Sequence, residues 1–418
     1  MDKRFLALSS IIFTYSFVNS IVSLASSLRV YELTQSTFMQ SLTSFSYNTL
    51  YALGSYYYSR ISGKLKQDQF AIFSLILMAS SILFMAFSPS AIFIILFNGV
   101  FGMSIAFISP LMAGMIINYL MKDNIGITRT NVISSLGIIF GYIFAAFGGA
   151  LFSSKDLMFI NTAFTLAVLP LVKYFPEKFK TKGERRALIL SLMPQVAGRI
   201  RAIPHEIVKY ERELSFKALY NDFKKMFYFK KLREMPTVLL GATVLYTAIQ
   251  IFFTPMPSYL KIFGYTDSDI YTLYLINNFT TLLLYDFMRK RTETESGTWK
   301  LLIIAVMVRP ILFLFPLLTY LKVPINLIFV IFYIGIGISW SGISVALPVL
   351  IMKNADPESK GLALSKMNAT TTIGTIVGSF VGGIVSKYYF ITGTSILASL
   401  MALVSLAIFF KASKIIPT

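Results

Sequence analysis

Few residues in this chain bring polar chemistry into its long apolar stretches, and their types limit what that chemistry can be. Arg309, followed by Pro310, lies within one such stretch. A guanidinium there is costly unless it faces a cavity or snorkels to an interface. The two readings are a snorkelling cation and a functional group that favours an anion. A second signal is a stripe. Ser16, Asn19, Ser20, Ser23 and Ser26 recur at steps of three or four, which places them on one face of a helix. That face either hydrogen-bonds a neighbouring helix or walls a cavity. Arg29 and Glu32 close the outer end of the same helix, as an interface anchor or a gate pair. Asp286, next to Arg289, reads as a surface charge or as half of a latch.

Other chemistry is missing from the sequence. There is no cysteine and one histidine, His205, which sits in a charged segment. Thiol catalysis and histidine or cysteine metal sites are therefore not expected. No carboxylate falls at the middle of an apolar stretch, so no proton relay is displayed. No Gly-x-x-x-x-Gly-Lys-Ser/Thr loop is present. The expectation is a protein without enzyme activity, metal or cofactor.

The elements that must position these residues are apolar helices. Of the 418 residues, 56% are hydrophobic and 14% charged, and the mean hydropathy is +0.69. A soluble domain carries roughly a quarter charged residues. The apolar stretches lie near 5–31, 38–58, 70–88, 91–118, 131–152 and 157–175, then near 237–260, 270–288, 299–320, 324–352, 363–386 and 391–411. Each is about 20 residues or longer, enough for a hydrocarbon core of about 30 Å. The stretches at 38–58 and 270–288 are the most polar. The predicted class is an all-α integral membrane protein with about twelve transmembrane helices. The stretch after Lys3 and Arg4 is too long for a cleavable signal and reads as the first span.

Charge gives the orientation. With the N-terminus inside, inner segments hold Lys3, Arg4, Arg60, Lys64, Lys66, Arg289, Lys290, Arg291 and Lys353, among others. The outer ones hold Arg29, Lys155, Lys261, Lys322 and Lys387. The asymmetry predicts cytoplasmic termini at the cell membrane. It also accounts for the net charge of +19 without nucleic acid. Residues 176–236 form a basic linker in which Leu188, Leu192 and Val196 recur at helical spacing. It reads as a solvated linker with a basic face, or as amphipathic helices that bind anionic lipid.

The two halves echo each other. Asn131, Gly137 and Gly141 recur as Asn368, Gly374 and Gly378 at identical spacing, 237 residues later. Glycines four apart let helix backbones approach closely in a membrane. Packing is their first reading and a moving interface the second. The chain divides into a six-helix bundle over 1–175, the linker 176–236 and a second, pseudo-symmetric bundle over 237–418.

Two six-span halves joined by a basic linker resemble the major facilitator superfamily. That family has a loop of the form Gly-x-Leu-Ser-Asp-Arg-x-Gly-Arg-Arg after its second helix. Here Ser59–Asp68 keeps Ser62, has Ile61 and Lys64 as conservative replacements, and puts Gly63 where the family has Asp. The resemblance implies a cytoplasmic latch, with Arg60, Lys64, Asp286 and Arg289 as candidates. It also implies a central path lined by the first, fourth, seventh and tenth helices. These carry Asn19, Asn98, Tyr246, Gln250, Tyr333 and Trp340, and neighbouring spans add Tyr47, Asn48, Tyr274, Asn277 and Asn278. Each aromatic singly is also compatible with lipid contact or packing. The function implied is a monomeric secondary-active or facilitative transporter that moves a small organic solute by alternating access. The alternative is a non-transporting scaffold or sensor whose basic linker binds a partner or anionic lipid.

Overall fold

The computed structural model describes residues 3–61, 67–120, 123–174, 235–321, 324–354 and 360–415. The linker 176–236 lies outside them except for its last two residues, and Lys64 lies outside them entirely. Every described regular element is helical. The first group is α1 (Lys3–Thr34), α2 (Thr37–Ile61), α3 (Gln67–Phe87), α4 (Ala91–Leu120), α5 (Asp123–Gly148) and α6 (Ser154–Ala167), the last extended by a 3-10 turn over Leu169–Tyr174. The second group is α7 (Met235–Phe253), α8 (Met256–Ile262), α9 (Asp267–Arg291), α10 (Glu295–Leu314), α11 (Ile325–Lys353) and α12 (Lys360–Ile415).

Local chemistry sets the breaks. Pro255 separates α7 from α8, because it has no N–H to continue the ladder. Gln35, at φ 50°, ends α1 in the left-handed conformation, with its N–H on the Tyr31 carbonyl at 2.7 Å. Ser153 with Asp156 caps α6, and Thr266 with Asp269 caps α9, each as a reciprocal capping box. Phe390 is non-helical within α12 (φ 50°, ψ −151°), so α12 is two helices joined at a kink. A residue in that region costs about 1–3 kcal/mol. The Phe390 ring packs 4.7 Å from Tyr259 and 6.2 Å from Phe263, which holds the kink in place.

Eight described segments are long and apolar enough to cross a membrane, one of them containing both halves of α12. α5 contributes the shorter apolar run Val132–Gly148. α2 and α9 are long enough but too polar to qualify, and they are the two stretches singled out above as the most polar. Large apolar side chains such as Phe73, Phe87 and Ile311 point outward, as lipid-facing residues must. Helices α1 to α6 pack on one another, as do α7 to α12. The main contacts between the two groups are α2 against α12 and α5 against α9.

Candidate functional site

A cavity of about 800 Å³ lies between the two groups. Helices α1, α2, α4 and α5 wall one side, and α7, α9, α10 and α11 wall the other. Ser27, Thr254 and Pro257 line its deep end. Tyr285, Asp286 and Arg289 line the mouth, near the C-terminus of α9. Asp286 and Arg289 are about two-thirds exposed there, with side-chain values of 66% and 64%. The volume is in the range of small-molecule pockets.

The first wall is largely bonded to itself. Asn98 is buried; its Nδ2 donates to the Thr43 carbonyl at 2.9 Å, and its Oδ1 accepts from Ser26 Oγ at 3.1 Å. One amide thus ties α4 to α1 and α2. Asn19 accepts from the Tyr47 hydroxyl at 3.0 Å. The serine stripe divides between its two readings. Ser16 bonds Ser134 of α5 at 2.8 Å, whereas Ser23 lines the cavity.

The second wall has more open polar groups. Arg309 is 1% exposed yet lines the cavity. Its Nε donates to Ser339 Oγ at 2.7 Å, and Ser339 donates in turn to the Ala305 carbonyl at 2.7 Å. Its Nη2 has no protein partner. The guanidinium lies 5.7 Å from the Trp340 ring, and Tyr246 meets Trp340 edge-on at 5.8 Å. Arg309 is thus anchored at the cavity wall and does not snorkel. Membrane-insertion scales put such a charge at about 2.5–3.5 kcal/mol at a helix centre. Asn277 leaves its Oδ1 without a partner. Gln250 accepts from Thr254 Oγ1 at 3.0 Å. Tyr333 does not line the cavity. It is fully buried behind Tyr274, whose ring is 5.4 Å away.

The deep end is sealed by bonds between the groups. Gln40 of α2 donates from Nε2 to the Thr254 carbonyl at 2.8 Å and to Ser27 Oγ, and its Oε1 accepts from Ser258 Oγ at 3.0 Å. Ser386 bonds Thr37 at 3.0 Å, and Ser268 donates to the Ala146 carbonyl. The cavity is therefore shut on the face opposite the N-terminus and open toward the N-terminal face.

The Major Facilitator Superfamily profile matches residues 6–363. The chain belongs to the major facilitator superfamily. It is a multi-pass membrane transporter of small solutes. No curated protein sequence matches it. Among solved structures, a mutant of the nucleoside transporter NupG has a TM-score of 0.73 at 14% identity, covering 98% of this chain and 100% of that one. A bacterial homologue of the human lysosomal transporter Spinster, inward-facing and unoccupied, has a TM-score of 0.69 at 14% identity, covering 99% and 98%. A POT family transporter in complex with a thioalcohol-conjugated peptide has a TM-score of 0.71 at 12% identity, covering 98% and 96%. At these identities the likeness is one of fold.

In this superfamily member the repeated glycines lie within each group of helices. A Cβ on Gly137 would fall 2.5 Å from the Phe13 carbonyl oxygen, and one on Gly141 2.7 Å from that of Phe17, both on α1. In the second group, Gly374 meets the Thr243 carbonyl, and a Cβ on Gly378 would fall 2.5 Å from that of Thr247, both on α7. The same helix pair is brought into close backbone approach by the same device in each half. Asn368 is buried at the start of this series. The side chains of Asn131 and Arg60 lie outside the described residues.

Asp286 bonds Arg289 at 2.8 Å and lies 3.7 Å from Lys290, all on α9. Among the described residues it makes no bridge to the other group, and the latch candidates Lys64 and the Arg60 side chain lie outside them. Arg29 and Glu32 do not pair either, since Arg29 donates to the Ser88 carbonyl at 3.1 Å. Gln40, the central residue of the seal, was not singled out from the sequence. Its signal was a glutamine in a span too polar to face lipid.

Proposed function

We propose that this carrier moves a small organic solute by alternating access, with two six-helix halves (1–175 and 237–418) rocking about the cavity. The carrying observation is a cavity between the halves, sealed at one end by bonds between them and open at the other. We place the open face in the cytoplasm, with both termini and the linker 176–236, because the basic residues cluster on that side. On this reading the carrier sits in the cell membrane as a monomer. It uses no cofactor or metal and performs no catalysis, and anionic lipid is the partner that suits the linker. No mid-span carboxylate suggests proton coupling, so facilitated diffusion or exchange is the simpler mode. The scaffold reading has no observation in its favour.

Purified protein in liposomes, offered a broad panel of labelled solutes with and without ion gradients, tests this. Saturable uptake of at least one solute is expected, together with counterflow when the same solute is preloaded. Failure of every solute under every gradient overturns the proposal.

A further inference from the structure

We propose that the cavity selects organic monoanions, with Arg309 as the group that holds the negative charge. This rests on the transport reading above and names the class of solute for the same cavity.

The first support is the state of Arg309. Ser339 fixes its Nε, which orients the planar fork, while Nη2 remains without a protein partner in a nine-tenths buried setting. A guanidinium stays protonated at neutral pH and presents donors in a geometry suited to a carboxylate. The second support is the rest of the wall. Among the described lining residues the one carboxylate is Asp286. It lies at the exposed mouth and is already bonded to Arg289 on its own helix. No counter-ion in the wall therefore neutralises Arg309. A buried cation without a partner is destabilising, and a bound anion removes that cost. One uncompensated cation matches one negative charge. A dianion would carry an unmatched charge into the same low-dielectric space.

The surroundings indicate the body of the solute. Trp340 and Phe313 lie 5.7 and 5.9 Å from the guanidinium carbon, and Tyr246 meets Trp340 edge-on. Trp340 and Tyr246 line the cavity and accept a planar or apolar group beside the charge, while Phe313 is fully buried and backs the guanidinium. Asn277 also lines this side of the cavity. Its buried Oδ1 is an acceptor without a protein partner, which a donor elsewhere on the solute would satisfy after a small side-chain rotation.

The test measures binding by calorimetry on the purified full-length protein at neutral pH. The probes are matched triples on three scaffolds: phenyl, naphthyl and cyclohexyl carboxylates, the corresponding amides and the corresponding methylammonium ions. The carboxylate is expected to bind at least tenfold tighter than its amide on one or more scaffolds, with the ammonium weakest. Arg309→Gln should abolish that preference by weakening the anion and leaving the amide unchanged, and Arg309→Lys should retain part of it. Monodispersity and amide binding report whether Arg309→Gln is folded. If it is not, the wild-type ratios and Arg309→Lys still decide. No carboxylate binding up to millimolar concentration, amides or ammonium ions binding as tightly, or a preference unchanged in Arg309→Gln each overturn the proposal. Anion binding without flux in liposomes would overturn the transport reading alone. Flux of neutral or cationic solutes without anion preference would overturn the anion assignment alone.

Discussion

Asn98 and Asn277 are both amides in the cavity wall, but they differ in what they have left to offer. Asn98 spends both ends of its amide on Ser26 and the Thr43 carbonyl, whereas Asn277 keeps its Oδ1 open. Asn98→Leu should therefore lower stability. Ser26 retains its bond to the Ser23 carbonyl, so the loss should sit at the low end for a buried polar pair, about 1 kcal/mol. Solute affinity should change little. Asn277→Leu should do the reverse, leaving stability unchanged or raised and weakening solute binding. Apparent melting temperatures in one detergent, with and without a transported solute, check both outcomes. An Asn98→Leu that melts like the parent but fails to bind would reverse the two roles. The sequence singled out both asparagines equally. Their difference comes from partners 72 and 55 residues away, and such distant pairings leave no trace in local spacing. Tyr333 shows the same limit, since its depth behind Tyr274 is set by how α9 meets α11.

Helices α2 and α9 owe their polarity to their position between the two groups. A lipid-facing helix needs apolar residues around most of its circumference. α2 faces the cavity and α12, and α9 faces the cavity and α5, so serine, asparagine and threonine are tolerated there. This is why the most polar stretches were still legible as helices of spanning length, and why they proved central to the site. The assignment of faces can be tested on α9. Asn278 lines the cavity, while its neighbour Phe279 is 49% exposed on the outer surface. The chain has no native cysteine, so single substitutions need no altered background. Asn278→Cys should react with a membrane-impermeant maleimide applied from the open face. Phe279→Cys, at nearly the same depth, should not, because a thiol in lipid does not form the reactive thiolate. Equal labelling of the two would put α9 in the wrong rotation. The glycine repeat was legible for the related reason that close backbone approach leaves few residues to choose from.

Which end of the cavity is closed could not be read from the sequence, because it depends on a small number of bonds between residues far apart in the chain. That small number is also what rocking requires. A seal that must break in every cycle cannot exceed the other state by more than a few kcal/mol. Gln40 contributes two direct bonds across the halves, to the Thr254 carbonyl and from Ser258 Oγ. Each buried bond is worth about 0.5–1.5 kcal/mol net, so together they hold about 1–3 kcal/mol of the closed face. At 1.4 kcal/mol per factor of ten, Gln40→Ala should raise the population open on the opposite face by roughly five- to a hundredfold from its starting value. Leu24 lines the cavity without bonding Gln40, so Leu24→Cys is a suitable reporter. An impermeant maleimide applied to the face opposite the N-terminus should label Leu24→Cys faster once Gln40→Ala is added. Labelling from the N-terminal face should slow or hold. Faster labelling from both faces would instead mean general loosening of the fold. An unchanged rate from the opposite face would mean that the remaining bonds, Ser386 to Thr37 and Ser268 to the Ala146 carbonyl, hold the seal without Gln40.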